Sequence, residues 1–304
     1  VTKVHGANAL WAHIGESQIN EETTSSLDNF KTSEVNYRIA LFDVATNGGR
    51  YLKTLVYNLA SDLTPENWTR LHKIRNRQVG GPISVTYNGE KVDLDYLRAV
   101  TDLQFLADRV NPDGFRILEI GAGYGRTCHT ILSNHDIAEY WILDLATTLE
   151  LSRKYLKEVL DEDQYARIRF VPVDEIDKVN GVRGFDLCIN IDSLAEMDVD
   201  TVKAYLTLID AQCRYFYVNN PVGKYMDKTL DGHSRGEDAI SLALSPGLLT
   251  DIIDIHDNCT VEAQARKFIS AYRPGGQWKC VADSWARPYS HYWQALYRND
   301  GADS

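Results

Sequence analysis

An apolar, β-type run that breaks at once into alternate glycines constrains this chain more than any other feature. Residues 115–127 read FRILEIGAGYGRT: the run ends in Glu119, and Gly121, Gly123 and Gly125 follow. Glycine accepts positive φ and lets the backbone come close to a ligand, and the run from Tyr124 to His135 is compatible with a helix. Strand, glycine turn and helix in that order predict a cofactor site.

The spacing narrows the cofactor. A dinucleotide fingerprint starting at Gly121 needs its third glycine at position 126, which is Arg126. The chain has E-x-G-x-G-x-G instead. This pattern resembles motif I of the class I S-adenosylmethionine (SAM) dependent methyltransferases, whose ligand has no pyrophosphate. The resemblance implies that Gly121, Ala122, Gly123, Tyr124 and Gly125 form the turn around the methionine part of SAM. It also implies that Glu119, two residues before the first glycine, helps hold the amino group.

Residues 139–146 (EYWILDLA) supply a second apolar strand ending in Asp144, 19 residues beyond Gly125. An acid there, at the carboxyl end of the next parallel strand, is placed to accept hydrogen bonds from ribose hydroxyls, with Leu145 beside it. Asp144 is also suited to cap the helix over TTLELSRKYLKEVL, and the two roles are compatible. ARIRFVPVD (166–174), FDLCINID (185–192) and RYFYVNN (214–220) read as further strands, with a helix from about Asp200 to Gln212 before the last. Strands alternating with helices imply a Rossmann-like α/β fold with a parallel sheet and ligands at the strands' carboxyl ends. Asp174 and Glu175 are then expected near the adenine and Asn190 near the methionine part. ARKFISAYR and HYWQALYRN are expected to close a seven-stranded sheet as an antiparallel pair, as is usual in class I methyltransferases.

The first 110 residues lack this alternation. Helical stretches are expected at Tyr37–Asp43, Tyr51–Ser61 and Leu94–Arg109, interrupted by PISVTYNGEKV, whose Asn88-Gly89 pair is a strong hairpin signal. The organisation expected is an N-terminal, mainly helical region with a small hairpin over 1–110 and a cofactor domain over 111–304. Residues 16–33 read as a polar loop, and the glycine- and charge-rich segment at about 221–249 reads as an inserted lid.

The 304 residues carry 43 acidic and 32 basic side chains, a net charge of −11, which disfavours nucleic acid as a partner. The longest basic cluster, RLHKIRNR (70–77), reads as the solvated end of a helix. No apolar run reaches the roughly 18 residues that span a membrane, so the chain is expected to be cytoplasmic. The five cysteines, Cys128, Cys188, Cys213, Cys259 and Cys280, show no zinc spacing and read as ordinary thiols in a reducing compartment.

Methyl transfer from a sulfonium needs an aligned acceptor and, for an unactivated hydroxyl, a base worth roughly 10²- to 10⁴-fold. In INIDSLAEMD, Asp192 and Glu196 are four apart and share one face if the segment is helical. Glu196 is the first candidate base, with Asp192 orienting acceptor or cofactor; capping by Asp192 and a solvated helix face for Glu196 are the competing readings. His233, in DGHSRGED, is the alternative base because imidazole titrates near neutral pH. Arg235 is a candidate acceptor contact. A divalent cation held by Asp192, Asn219 and Asn220 would have only one carboxylate, so no metal is expected, and Asn219 and Asn220 read as acceptor-binding residues. Most C-terminal aromatics read as core, with Trp278 and Trp285 the ones expected to face a ligand.

EIGAGYGRT, YWILDLATTLELS, INIDSLAEMD and YFYVNNPVGKY together resemble the sugar O-methyltransferases, a family associated with natural product and surface glycan biosynthesis. The resemblance covers roughly residues 80–300. It implies SAM-dependent transfer to a hydroxyl of a sugar or glycosylated small molecule, with homo-oligomerisation left open. Two other readings stay open: transfer to a carboxylate or aromatic hydroxyl, and a non-catalytic SAM-fold subunit that binds a partner.

Overall fold

The computed structural model describes residue 13 and residues 44–182, 184–225 and 244–301. The chain falls into two compact units, Val1–Asn58 and Leu59–Ser304. The helix Val44–Ser61 begins in the first. The hairpin, the helix that follows it and the whole sheet belong to the second. The expected helix at 37–43, the polar loop at 16–33 and residues 226–243 of the expected lid lie outside the described residues.

Local signals set the start of the second unit. Thr64 caps the helix Pro65–Lys73 by accepting from the Asn67 amide at 3.2 Å. Strands β1 (Ser84–Tyr87) and β2 (Glu90–Asp93) then pair antiparallel about Asn88 and Gly89, at φ 50° and 84°. Two left-handed central residues are what a two-residue hairpin requires, and Asn-Gly supplies them at low cost. Asp93 next caps the helix Leu94–Ala107 through the Tyr96 amide at 3.1 Å. The basic cluster at 70–77 is not wholly solvated. Arg77 is buried and donates to the carbonyls of Leu71 and Ile74 at 2.6 and 2.5 Å, satisfying carbonyls that the helix end leaves bare.

The centre is a seven-stranded sheet of β3 (Arg116–Ile120), β4 (Glu139–Asp144), β5 (Ile168–Pro172), β6 (Phe185–Ile191), β7 (Cys213–Pro221), β8 (Trp278–Trp285) and β9 (Tyr292–Asn299), in the order β5-β4-β3-β6-β7-β9-β8. The first five pair in parallel, and β9 runs antiparallel to both β7 and β8. This is the Rossmann-like sheet expected from the alternation of strands and helices. Period-two alternation divides its side chains between two apolar layers. Leu118, Leu143, Cys188 and Phe216 face the helices Val199–Gln212 and Asn258–Ala271. Ile117, Ile142, Leu187 and Ile189 face the helices Leu94–Ala107, Arg126–Asn134 and Ala146–Val159. The order also reverses on either side of β3, so its carboxyl end and that of β6 open a crevice.

The expected last strand pair is half right. HYWQALYRN supplies β9 from Tyr292 onward, but ARKFISAYR supplies the end of the helix Asn258–Ala271, and the strand paired with β9 is WKCVADSW. Val261, Ala265, Phe268 and Tyr272 recur at helical spacing and are buried together, and Asp257 caps the helix by accepting from the Cys259 amide at 3.1 Å. All five thiols are free; Cys128, Cys188 and Cys213 are buried, whereas Cys259 is exposed. Among the described residues no helix is long and apolar enough to cross a membrane.

Gly125 joins turn to helix at φ 99°, where a Cβ would approach the Leu156 side chain to 2.8 Å. Gly125→Ala is expected to cost about 1–3 kcal/mol, from backbone strain and overlap together. Urea unfolding checks it: the midpoint falls with an unchanged m-value.

Candidate active site

The carboxyl ends of β3, β4 and β6 border a cavity of about 650 Å³, within the roughly 300–1,000 Å³ range of small-molecule sites. Glu119, Gly121, Ala122, Gly123, Tyr124, Arg126 and Thr127 form one wall, Asp144 and Leu145 a second, and Asp192, Ser193, Glu196 and Met197 a third. Two larger clefts, of about 760 and 970 Å³, lie beside His72, Lys73 and Arg75 and at the amino ends of β6 and β7. Neither gathers the strand carboxyl ends, where a parallel sheet presents its ligand-binding groups.

Gly121 makes the cavity's floor possible. It sits at φ 72°, and a Cβ there would lie 2.1 Å from Ser193 Oγ. Only a glycine lets the turn after β6 come this close to the turn after β3. Asn190 fastens the two together: its amide donates to the Ile120 carbonyl at 2.9 Å and to Ser193 Oγ at 2.6 Å. Asn190 itself is fully buried behind the wall, and Ser193 is the side chain at the cavity.

Asp144 secures the other side of the turn. Its Oδ2 accepts from the Gly123 amide at 3.0 Å and its Oδ1 from the Leu145 amide at 2.7 Å. A carboxylate has about four acceptor positions, so lone pairs remain for a ligand. Asp144 does not cap the following helix; the N-cap is Leu145, with no side-chain capping bond. Leu145 is 58% exposed, an apolar side chain on the cavity wall.

Glu119 is buried on β3, facing the helix Arg126–Asn134. Its Oε2 accepts from the Tyr140 hydroxyl at 2.8 Å, and the Thr127 hydroxyl also donates to it. It forms no salt bridge among the described residues. Burial pushes its pKa up to about 7, against the opposing pull of these hydrogen bonds and of nearby Arg126.

Asp192 and Glu196 meet at the cavity, but not on one helical face. Asp192 lies at φ 69°, ψ −46°, and only a single 3₁₀ turn, Ser193–Ala195, separates it from Glu196. The Ala195 amide donates to Asn220 Oδ1 at 3.2 Å and Lys224 Nζ donates to the Ala195 carbonyl at 3.0 Å, which holds this turn. Glu196 is exposed at the rim. Partial burial and then Asp192 raise its pKa, with Lys224 opposing.

Several expected residues lie elsewhere. Asp174 and Glu175 are exposed outside the cavity wall, and Glu175 pairs with Lys178; Val173, one residue earlier, lines the cavity. Asn219 and Asn220 are fully buried and do not reach the cavity. Asn219 donates to Asp102 at 3.1 Å and Asn220 to Asn190 at 2.8 Å, so these polar residues on β7 serve the interior instead of an acceptor. Trp278 is buried at the start of β8, donating to Asp210 at 2.6 Å, and Trp285 donates to the Ser290 carbonyl at 2.6 Å. His233 and Arg235 lie outside the described residues. Arg126 and Thr127, just past the glycines, and Ser193, beside Asp192, were within reach of a sequence reading. Tyr205, which reaches the cavity from the helix Val199–Gln212, carries no sequence signal for it.

No family model and no curated protein matches the chain. Similar solved structures include the methyltransferase domain of a bacterial CtHen1, at 13% identity, covering 66% of this chain and 97% of that one with a TM-score of 0.43. An O-methyltransferase family 2 protein from Planctomyces limnophilus, in complex with apigenin, is 13% identical over 67% of this chain and 58% of its own, with a TM-score of 0.43. M. capricolum TrmK, in complex with S-adenosylhomocysteine, is 10% identical over 65% and 67%, with a TM-score of 0.37. At this level of likeness the functional reading rests on the site's own geometry.

The raised Glu119 carboxyl makes stability depend on pH. The folded chain keeps its proton up to about pH 7, whereas the unfolded chain releases it near 4.5. Between these values the folded state binds more protons, so rising pH removes stability, on the order of 3 kcal/mol by pH 8. Glu119→Gln is therefore expected to raise the urea midpoint at pH 8 and to change it little at pH 4.5. An equal midpoint shift at both pH values would contradict the assignment.

Proposed function

We propose that this protein is a SAM-dependent O-methyltransferase acting on a hydroxyl of a sugar or glycosylated small molecule. The observation that carries the reading is the convergence, at one cavity, of an E-x-G-x-G-x-G turn, an acid at the end of the next strand and a second pair of acids after β6.

The residues present fit the cofactor. Gly123, at φ 59°, has nothing within 4 Å of where a Cβ would stand, so the turn leaves open space on the cavity side. Asp144 keeps lone pairs for the hydroxyls of a ribose, and Leu145 and Val173 offer apolar surface for an adenine. Glu119 is a buried carboxyl with no ion-pair partner among the described residues, and an ammonium such as the amino group of SAM would supply one and favour its ionised form. When bound, SAM supplies a methyl group on a sulfonium, activated for in-line transfer.

The acceptor side falls to Asp192 and Glu196. Asp192 has both oxygens engaged by Arg98, which suits an orienting group better than a base. Glu196 stands at the rim with a pKa raised toward neutrality, which favours proton removal from a hydroxyl. His233 and Arg235 remain candidates on the acceptor side. The sugar class rests on the sequence resemblance and on the suitability of paired carboxylates for binding hydroxyl groups.

Calorimetric titration tests the cofactor: SAM binds at micromolar concentration, NAD does not, and Asp144→Ala weakens SAM by roughly tenfold or more. Methyl transfer to a panel of sugars and glycosides tests the chemistry. Glu196→Gln is expected to keep its SAM affinity while losing roughly 10²- to 10⁴-fold in kcat. Full activity in that variant would point to an acceptor that is already ionised, such as a carboxylate. Absence of SAM binding in the native chain would end the reading.

A further inference from the structure

Arg98 has a role that neither its position nor its neighbours in the sequence announce. It lies on the helix Leu94–Ala107, outside the cavity wall, with only 4% of its side chain exposed. Its guanidinium nonetheless reaches the end of β6. Nη1 donates to Asp192 Oδ2 at 3.2 Å and Nη2 to Asp192 Oδ1 at 3.1 Å, a two-pronged pairing. The group also lies over the rings of Tyr289 and Tyr292, 5.0 and 5.2 Å from their centroids. Its Nε is 3.8 Å from Asp102 Oδ2, and the Tyr292 hydroxyl hydrogen-bonds Asp192.

What this arrangement holds is costly. Asp192, at φ 69° and ψ −46°, is in a region that a residue with a Cβ rarely adopts, at a cost of order 1–3 kcal/mol that surrounding contacts must outweigh. The backbone contributes one bond on each side, from the Asp192 amide to the Asn219 carbonyl at 2.9 Å and from the Ala195 amide to the Asp192 carbonyl at 3.1 Å. The side chain is fixed from Arg98 and Tyr292. A planar guanidinium matched to both carboxylate oxygens fixes direction as well as distance, which an ammonium cannot do.

We propose that Arg98 is the positioning residue of this site: it holds Asp192 in its strained conformation on the cavity wall and supplies the positive charge that offsets Asp192 beside Glu196. The purpose of the site rests on the methyltransferase reading, but the contact and its consequences do not require SAM or an acceptor. Arg98 serves two carboxylates, Asp192 at the cavity and the buried Asp102 beneath, so its charge is shared between function and interior. Among the described residues the charged groups facing Glu196 are Asp192 and Lys224. Loss of the Arg98 cation leaves Asp192 less compensated, and Glu196 then becomes harder to ionise.

Two measurements on the full chain without ligand test this. The first is hydrogen–deuterium exchange of the turn 192–196 in native protein, Arg98→Gln, Arg98→Lys and Arg98→Gln/Asp192→Gly. Both single variants are expected to exchange about tenfold or more faster in the turn, while the helix Leu94–Ala107 and the sheet stay protected. The double variant is expected to regain protection, because glycine takes this conformation without strain. The second is titration of the Glu196 carboxyl by selective ¹³C labelling, with Glu196→Gln identifying the signal. Its midpoint is expected to rise by about one unit in Arg98→Gln and to stay in place in Arg98→Lys, which keeps the charge. Should Arg98→Gln not fold, the Arg98→Lys exchange comparison decides alone. Native exchange in the turn of the tested variants, or a loss of protection spread evenly over helix and sheet, overturns the proposal. Failure to bind SAM would overturn only the methyltransferase reading.

Discussion

The approach of Ser193 to Gly121 is the contact on which the rest of the site depends. Two parallel strands end side by side, and each chain must turn away at nearly the same point. With any side chain at position 121 the turn after β6 would stand off, the Asn190 bonds to Ile120 and Ser193 would be lost, and Asp192 would move from the wall. The glycine that marks the motif is therefore not needed only for a ligand. It lets one strand end serve as the template for the next, so that acids separated by more than 70 residues in the chain face a common space.

A second constraint is electrostatic. A chain with a net charge of −11 places Glu119, Asp144, Asp192 and Glu196 around one cavity and Asp102 below it. Such a set would repel itself without cations nearby. Arg98 answers Asp192 and Asp102, Lys224 opposes the effect of Asp192 on Glu196, and Arg126 acts on both Glu119 and Asp102. Arg126 stands where a dinucleotide fingerprint would have its last glycine, so one substitution of residue type both removes a pyrophosphate cradle and adds a charge. Glu119 is the most deeply buried of these carboxyls, and burial dominates its titration.

Parts of this were legible in the chain because the physics is local. An apolar run followed by alternate glycines specifies strand and turn within a dozen residues, and Asn88-Gly89 specifies a hairpin within four. The helix Asn258–Ala271 was harder. ARKFISAYR can be read with strand alternation, and its helical period shows only when Val261, outside that stretch, is counted with Ala265 and Phe268. Asn219 and Asn220 misled for a different reason. At a strand's carboxyl end polar side chains usually face a ligand, but here β9 and the helix Leu94–Ala107 enclose them, and their amides are spent on Asp102 and Asn190. Trp278 and Trp285 look like ligand-facing aromatics, yet each indole N–H is satisfied inside the fold.

By itself the sequence determined the alternation that makes a parallel sheet, the turn that opens it at β3, and the acids at the ends of successive strands. These follow from periodicity and from glycine's lack of a Cβ, both properties of neighbouring residues. Only the tertiary structure decided which acids converge, that Asp192 sits in a strained backbone conformation, and that an arginine from a helix 94 residues earlier in the chain holds it there. Long-range charge pairing leaves no local trace, because the side chain that neutralises a carboxylate is chosen by how the helices pack and not by what precedes it in the sequence.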